Sequence, residues 1–434
     1  MNNNPTYQQP LCSPCATCDE SNTTTTRKQD DNETKTTAND AVRCVPQKRF
    51  PEFLNAGEWN MVLLGAIVDY ENGAAHEQYI DVNGKYILVN SKFISSNGQI
   101  EKRTDTLHCL AQKGDVLMVL SDLPNGRALA KCFYVQENDK YAVNQRICKL
   151  HPHGIYSKFL YYLLDRNEYF LSFDDGVKQT NLKKDEVLQC PLIIPKTIEE
   201  QKYIADSLDA INGIIISVRR TTEQLKSHKN ALLQILFPQR GRIYPECHFN
   251  NFQNAEMWEE TIVENAIKTI TPPKKLQSKE YRTTGAIPII DQSQAYICGY
   301  SDDETAILNK DSQELIIFGD HTCILKLVDF PFIQGSDGIK IFKSKNKKRL
   351  DTKFLYYMIQ CLHIEPIAYK RHFSELRSKK ILFPSSLNEQ QKIAACLQSI
   401  DNEIFATMKK LELLQMQKNA LMQQLFIKYK LSWT

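Results

Sequence analysis

The sequence predicts a mixed α/β (α+β) protein, built as a tandem duplication in which two globular domains alternate with two long helices that pair as an antiparallel coiled coil. The first observation is an internal repeat: residues 197–237 align without a gap on residues 386–426, at an offset of 189, with 16 of 41 positions identical. Second, both segments space apolar residues by alternating steps of four and three, the rhythm of a coiled-coil seam. Third, short apolar runs of strand length, separated by turn residues, precede each helix.

The composition of the first 46 residues predicts a disordered tail, because they are rich in Thr and Asn and poor in large apolar side chains. Cys12, Cys15 and Cys18 form a C-x2-C-x2-C pattern, with Cys44 far downstream. Four thiolates are a zinc ligand set, so a metal site remains an alternative for this segment. The other cysteines are single and widely spaced, as expected for free thiols in a reducing cytoplasm.

Two globular domains are predicted over residues 47–196 and 239–385. Their strands are indicated by the apolar runs 86–89, 116–120 and 315–318. Turns are expected at 123–126 and 334–338, which combine Gly with Asn, Pro, Ser or Asp. Segments 158–164 and 353–362 read as helices and share the sequence Lys-Phe-Leu-Tyr-Tyr. Each domain also opens on an aromatic-Pro-Glu step followed by Trp: Phe50-Pro51-Glu52 with Trp59, and Tyr244-Pro245-Glu246 with Trp258.

The two long helices are predicted over residues 197–238 and 386–430. Thr197 and Ser386 stand near their starts with Glu200 and Glu389 three residues on, which is a capping-box pattern. At about 1.5 Å per residue each helix is roughly 60 Å long. Neither can bury its apolar stripe alone, so each is the expected partner of the other. The residues assigned to this pairing are Ile204, Leu208, Ile211, Ile215, Leu225, Leu232, Ile393, Leu397, Ile400, Ile404, Leu414 and Leu421.

Catalytic signatures are missing from the sequence. It contains no phosphate-binding G-x-x-x-x-G-K-[ST] loop, no G-x-G-x-x-G and no nucleophile elbow. Thr271-Pro272-Pro273-Lys274 lacks the flanking residues of an amino-methyltransferase loop. The nine histidines are scattered, so no metal site is expected among them. We therefore expect a chain without catalytic residues, and without methyltransferase, nuclease or ATPase activity of its own.

Side chains suited to DNA recognition are concentrated in the predicted loops. Arg and Lys match guanine edges, Asn and Gln match adenine edges, and Lys, Ser and Thr hold phosphates. The net charge of +3 permits such a role without requiring it. The candidate DNA-binding residues are Asn90, Lys92, Arg103, Asn125, Arg127, Asn144, Gln145, Arg146, Asn181, Gln292, His321, Thr322, Lys326, Lys340 and Arg371.

From about residue 47 to residue 428 the chain resembles the specificity subunit of type I restriction–modification enzymes. The resemblance lies in an order that occurs twice: a variable domain, a proline, the motif Glu-Gln-x-x-Ile-Ala, and a heptad helix ending Lys-x-x-Leu-Leu/Met-Gln-x-Leu-Phe. The segments 121–126, 144–147 and 318–322 also look like stretches of the recognition domains of that family.

The resemblance implies that each domain is a target-recognition domain that reads one half of a split, asymmetric site in double-stranded DNA. It implies that the helices set the spacing and dock two modification (methyltransferase) subunits, and that restriction subunits complete the complex. S-adenosylmethionine, ATP and Mg²⁺ would then be used by those partners, and no cofactor by this chain. No apolar stretch long enough to span a membrane and no apolar signal core occur. A cytoplasmic location is therefore expected.

Three other hypotheses remain open from the sequence. The chain is compatible with the specificity subunit of a related, type IIB- or IIG-like system that methylates and cleaves DNA with a different partner. A coiled-coil scaffold that binds only proteins would share the heptads. A catalytic chain is disfavoured by the missing motifs.

Overall fold

The computed structural model describes residues 44–239, 241–252, 258–336, 338–362, 364–367 and 370–427. The predicted tail, with Cys12, Cys15 and Cys18, therefore lies outside the described residues except for its last three positions. Both the disordered tail and the alternative zinc site remain predictions.

The first domain contains two four-stranded sheets, ordered β2-β10-β6-β8 and β4-β3-β9-β5, and two small pairs, β1-β12 and β7-β11. Its strands are β1 Asn60–Leu63, β2 Val68–Asn72, β3 Tyr86–Val89, β4 Arg103–Thr104, β5 Leu110–Ala111, β6 Val116–Val119, β7 Ser121–Asp122, β8 Cys132–Tyr134, β9 Tyr141–Val143, β10 Ile147–Pro152, β11 Thr180–Asn181 and β12 Pro191–Ile194. Its helices are α1 Ser91–Ser95, α2 Ser157–Leu164, α3 Glu168–Leu171 and α4 Lys184–Leu188. The long helix α5 Ile198–Leu236 follows.

The second domain repeats this plan, with one sheet ordered β14-β22-β19-β20, a second ordered β15-β21-β16-β17 to which β18 adds, and the pair β13-β23. Its strands are β13 Glu259–Ile262, β14 Ile267–Ile270, β15 Lys275–Leu276, β16 Ile287–Ile290, β17 Gly299–Ser301, β18 Ile307–Leu308, β19 Leu315–Gly319, β20 Leu325–Val328, β21 Phe332–Gly335, β22 Ile339–Ser344 and β23 Lys380–Phe383. Its helices are α6 Val263–Ala266, α7 Thr352–Gln360 and α8 Phe373–Ser378, and the long helix α9 Leu387–Leu425 follows. The mixed α/β fold class and the duplication are confirmed.

The central strands show why the sequence carries uninterrupted apolar runs rather than alternating ones. Val116 and Met118 of β6 face the core beneath α2, whereas Leu117 and Val119 face the core of the neighbouring sheet. Both faces of the strand are therefore buried, and every position is apolar. Strand β19 of the second domain is buried on both faces in the same way.

One predicted turn is wrong in part. Gln334 and Gly335 end strand β21, and Gln334 is buried in the sheet. The connection begins only at Ser336. Gly and Ser dominate the local composition, but pairing with β15 and β16 extends the strand through these two residues.

The two long helices run antiparallel, as predicted. Lys229, near the end of α5, lies 2.7 Å from Asp401, near the start of α9. Leu421 and Leu425, at the end of α9, pack into the first domain's core with the start of α5. The end of α5 packs with the start of α9 in the second domain's core. The two domains therefore sit at opposite ends of the helix pair.

The residues assigned to helix pairing are all buried or half-buried. Five are buried and lie in the first half of α5 or α9: Ile204, Leu208, Ile393, Leu397 and Ile400. Ile215 is buried near the middle. The others are half-buried, because a pair of helices covers its seam from one side only: Ile211, Leu225, Leu232, Ile404, Leu414 and Leu421.

The predicted capping boxes are half correct. The Thr197 and Ser386 hydroxyls accept hydrogen bonds from the backbone N–H groups of Glu200 and Glu389, as helix caps do. The Glu200 carboxylate does not return the bond. It instead accepts from Arg49 and from Trp59 Nε1, inside the first domain.

The glutamine that follows each of these glutamates ties the domain to its helix. Gln201 accepts a hydrogen bond from the backbone of Tyr156 and donates one to the carbonyl of Pro195. Gln390 makes the same pair of contacts with Asp351 and Pro384. Both glutamines are buried. The repeated Glu-Gln pair is therefore the attachment point between each domain and the helix after it.

The predicted correspondence between the two opening segments is wrong. His248, not a residue of the 244–246 step, contacts Glu389 as Arg49 contacts Glu200. Ten residues separate His248 from Trp258, as ten separate Arg49 from Trp59. The Pro-Glu step at 244–246 is therefore not the equivalent of 50–52, and the repeat of the second domain begins five residues later.

Candidate nucleic-acid interface

A polar cleft of about 710 Å³ opens in the first domain where β3 and β9 end. These strands are parallel neighbours, so the residues that follow them meet at one edge of the sheet. Asn90 and Lys92 follow β3, and Gln145 and Arg146 follow β9. Four of the predicted DNA-binding residues are thus brought together, and Asn144 lies against them.

The cleft is lined on one side by residues 75–80, a segment that carried no sequence signal for DNA binding. Glu77, Tyr79 and His108 line the cleft and were not predicted, and Lys102 lines it as well. Glu77 begins a short turn that lies across from β9 only because of the sheet's register. Sequence reasoning could not place it there, since 67 residues separate it from Asn144.

Asn144 lies beneath the cleft rather than on its surface. It is 4% exposed, and its Nδ2 donates to Glu77 Oε1 at 2.6 Å. One end of the Asn90 side chain is also occupied, because its Oδ1 accepts a hydrogen bond from the N–H of Phe93 and so caps helix α1. Lys92, Gln145 and Arg146 are exposed and free to reach a ligand.

A second polar group adjoins Arg146. The Arg146 carbonyl accepts from Leu120, and the next residue, Ser121, pairs with Asn181 across β7 and β11. Asn125, at a positive φ of 55° in the predicted turn, donates to the Gly176 carbonyl. Arg127 follows on the same turn and is exposed. These residues extend the polar face beyond the cleft.

Arg103 lies outside this grouping. It sits in β4, contacts the carbonyl of Gly84 and lies 3.6 Å from Glu101. The cleft is lined by its neighbour Lys102 instead. The alternation of side chains along a strand accounts for the difference, because adjacent residues point to opposite faces.

In the second domain the corresponding loops also meet. Thr322 Oγ1 donates to the Gln292 carbonyl, and the Gln292 side chain packs against Gly338, where a Cβ atom would lie 2.7 Å from Nε2. His321 contacts the carbonyl of Lys370, beside the exposed Arg371. Lys340 is exposed, with its ammonium 5.9 Å from the centre of the Phe373 ring. Gln292, His321, Thr322, Lys340 and Arg371 therefore share one face.

Lys326 is not on that face, and its assignment as a phosphate or base contact needs correction. The side chain is 4% exposed, and its ammonium donates to the backbone carbonyls of Asp291 and Ala295. Burial lowers the pKa of Lys326. The residue stabilises the 291–295 loop from inside the domain.

The two faces are built alike but carry different side chains. The three-residue connection 144–146, between β9 and β10, corresponds to the connection 336–338, between β21 and β22. Arg146 of the first domain is replaced by Gly338 in the second. An exposed cationic side chain on the first face is therefore replaced on the second face by a glycine whose backbone lies close to the Gln292 side chain.

The described residues contain no group of three or more His, Cys, Asp or Glu side chains that could hold a metal ion. Within the same residues, no helix is long and apolar enough to cross a membrane. The polar faces offer hydrogen-bond donors, acceptors and cationic groups. Such groups are suited to binding and orienting a polar ligand.

We expect acidification to destabilise the first cleft through His76. His76 is fully buried behind Glu77, its Nδ1 bonds the Ala74 carbonyl, and its Nε2 accepts from the backbone N–H of His108. The bond to Nε2 requires a neutral ring, because a protonated Nε2 cannot accept a hydrogen bond. Burial, aided by the nearby His108, lowers the pKa of His76. The unfolded chain therefore takes up the proton first, so stability is lost as pH falls below about 6.5, the ordinary histidine value.

The measurement is the free energy of unfolding at about pH 7.5 and about pH 5.5 for the wild type and for His76→Gln. The wild type should lose more stability than the variant over this interval. His228→Gln, at an exposed position of α5, is the control and should follow the wild type. Equal losses in the wild type and His76→Gln would show that His76 does not contribute.

Two similar domains at opposite ends of an antiparallel helix pair, each with a polar, loop-built face, define a duplicated recognition protein with two unlike reading faces. The family model for the type I restriction modification DNA specificity domain matches residues 56–227 and 263–415, well over half of the chain. The chain belongs to this family. The membership supports the type I resemblance and disfavours the protein-only scaffold.

A relative and a solved structure agree with this assignment. A 127-residue segment, 28% of the chain, is 31% identical to the "Type I restriction enzyme EcoR124I/EcoR124II specificity subunit" of Escherichia coli. That match spans about a third of the relative's length, 31%. The crystal structure of a type I restriction–modification S subunit from M. genitalium has a TM-score of 0.65, over 89% of this chain and all of that one. At 16% identity it shows a shared fold.

Proposed function

We propose that the chain is the DNA specificity subunit of a type I restriction–modification complex. Each domain reads one half of a bipartite, asymmetric site, and the helix pair sets the distance between the halves. The observation that carries this proposal is the duplication itself: two faces built from equivalent loops, with unlike side chains, at opposite ends of one helix pair. The family membership supports the same function.

Recognition would combine two kinds of contact. Lys92 and Arg146 on the first face, and Lys340 and Arg371 on the second, supply cations for phosphates or guanine edges. Binding should weaken with salt, because these cations displace counterions. The two half-sites should be centred roughly one helical turn apart, about 34–36 Å, so that both domains meet the same side of the duplex.

The helix pair also offers a surface for partner subunits. Phe405, Leu413 and Met416 of α9 and Ile216 of α5 are more than half exposed. Exposed large apolar groups on a long helix are typical of a protein interface. We propose that two modification subunits dock along the helices and that restriction subunits complete the complex. Those partners would use S-adenosylmethionine, ATP and Mg²⁺, and this chain would carry no catalytic residue. A cytoplasmic location accords with that role.

Exchange of residues 47–196 for the first domain of another member of the family tests this function. The hybrid, assembled with modification subunits, should methylate a site with one new half, the same spacer and the other half unchanged. Methylation mapping of DNA from cells that carry the hybrid reads the site directly. A change in both halves, or in neither, would contradict the assignment of one half-site to each domain.

A further inference from the structure

Glu77 is an ionised carboxylate on a cleft whose other charged residues are cationic. Lys92, Lys102 and Arg146 line the same cleft of the first domain. The Glu77 side chain is exposed there, and no described residue forms a salt bridge with it. A carboxylate at this place repels phosphates, so it opposes general binding to DNA.

The position of Glu77 is fixed by a buried neighbour. Asn144 Nδ2 donates to Glu77 Oε1 at 2.6 Å, and Asn144 is itself 4% exposed in the floor of the cleft. His76, the preceding residue, is fully buried and held by two hydrogen bonds. The bond from Asn144, with the backbone N–H groups of Glu77 and His76 and the nearby Arg146, holds the pKa of Glu77 below its usual value despite partial burial. The group is therefore a rigid acceptor near neutral pH.

In the major groove, a fixed hydrogen-bond acceptor can distinguish between the bases on the strand that it faces. In the major groove the amino groups of cytosine and adenine donate hydrogen bonds, whereas guanine N7 and O6 and thymine O4 only accept. A carboxylate gains a hydrogen bond from C or A on the strand it faces and meets an oxygen if G or T stands there. Glu77 is exposed at the cleft, and among the described residues Asn144 is the side chain that donates a hydrogen bond to its carboxylate, so the group stays accessible to a base.

We propose that Glu77 is a specificity-determining residue, whose carboxylate accepts a hydrogen bond from the exocyclic amino group of a cytosine or adenine in the half-site read by the first domain. Asn144 is a positioning residue that holds the carboxylate. This inference rests on the proposed function. It concerns one half-site only, because the corresponding turn of the second domain begins at Ser278, and its Glu280 caps the backbone of Gln277 instead.

The test is Glu77→Gln in the full chain, assembled with its modification subunits. Glutamine keeps an oxygen that accepts from Asn144, so the turn is retained, but its amide also donates to G or T. Binding is measured on the wild-type site and on sites with every single base-pair change in both half-sites. Glu137→Gln, at an exposed position of the same domain, is the matched control.

At one base pair of the first half-site, wild-type binding should be stronger with A or C on one strand. Glu77→Gln should reduce that preference by about 5- to 150-fold, the range for one base contact. The base that the wild type prefers at that pair shows whether Glu77 contacts a cytosine or an adenine. Binding to unrelated DNA should become tighter in the variant, because a negative charge is gone. Asn144→Ala should weaken the same preference, and Glu137→Gln should leave every preference unchanged.

Unchanged preferences in a folded Glu77→Gln complex, or changes in the second half-site, would overturn the inference. If the wild-type complex itself showed no bipartite preference, the proposed function would fail instead. The two failures are therefore distinguishable. Thermal unfolding of each variant confirms that the domain is folded, and an unfolded Glu77→Gln domain would show a structural role and overturn the inference as well.

Discussion

Replacing Arg49 by alanine should destabilise the chain by about 3–5 kcal/mol, the cost of leaving a buried charge without its partner. The guanidinium donates two hydrogen bonds to Glu200, each of 2.7 Å, and a third to the Gly57 carbonyl. The Arg49 and Glu200 side chains are 6% and 1% exposed. Without Arg49 the carboxylate keeps only Trp59 Nε1 at 3.2 Å. The opening segment of the first domain would lose its attachment to α5.

Urea unfolding of the wild type, Arg49→Ala and Arg282→Ala measures this effect. Arg282 also forms an ion pair, with Asp302, but its side chain is 66% exposed. Exposed pairs contribute about 0–1 kcal/mol, so this control isolates the effect of burial. A loss of less than about 1 kcal/mol for Arg49→Ala would mean that the domain does not depend on this anchor.

The same contact shows where sequence reasoning reached its limit. The heptad seam predicted the helix pair correctly, because spacing along one helix determines which side chains share a face. Glu200 was read as part of a capping box for the same local reason. Its partner Arg49 is 151 residues away, and no local pattern identifies such a contact. The misplaced opening of the second domain has this cause too, since its correspondence is defined by the contact with Glu389.

The residues of the candidate DNA face also fall into two groups, those that local sequence identifies and those that only the tertiary structure places there. Lys92, Gln145 and Arg146 were identified because their residue types suit DNA and they lie in predicted loops, and Lys92 also follows the predicted strand 86–89. Glu77 reaches the same cleft only through the register of the sheet, which the sequence does not specify. The burial of Lys326 did have a signal. Lys326 and Val328 are two apart in β20, so they share a face, and both are buried. A lysine two residues from a buried apolar residue in a strand lies on the same face, so its side chain is a candidate for burial.

Lengthening both long helices by four residues should change the spacer of the recognised site and leave its half-sites unaltered. Thr222 lies seven residues before Lys229, and Met408 lies seven residues after Asp401. Since Lys229 and Asp401 are in contact and the helices are antiparallel, these positions face each other. Insertion after both residues adds about 6 Å to the pair. At about 3.4 Å per base pair, that is a spacer longer by one or two base pairs.

The insertion should also rotate one domain about the helix axis, by roughly 40° for four residues at about 3.6 per turn. Each added base pair rotates the second half-site about the DNA axis, so a longer spacer moves the half-site and turns it. Both domains can bind their half-sites at the same time only when the displacement and rotation of the domain match those of its half-site. The complex should therefore select one new spacer length, and its affinity for the original spacing should fall towards non-specific binding, by about 10³-fold.

Binding or methylation on a set of sites that share both half-sites and differ only in spacer length measures the outcome. A four-residue insertion after Lys310, in an exposed loop of the second domain, is the matched control and should keep the original spacing. If the doubly lengthened chain retained the original spacer, the helix pair would not set the distance between the domains. If its half-sites changed instead, the insertion would be acting on the reading faces, and the helices would take part in recognition as well as in spacing.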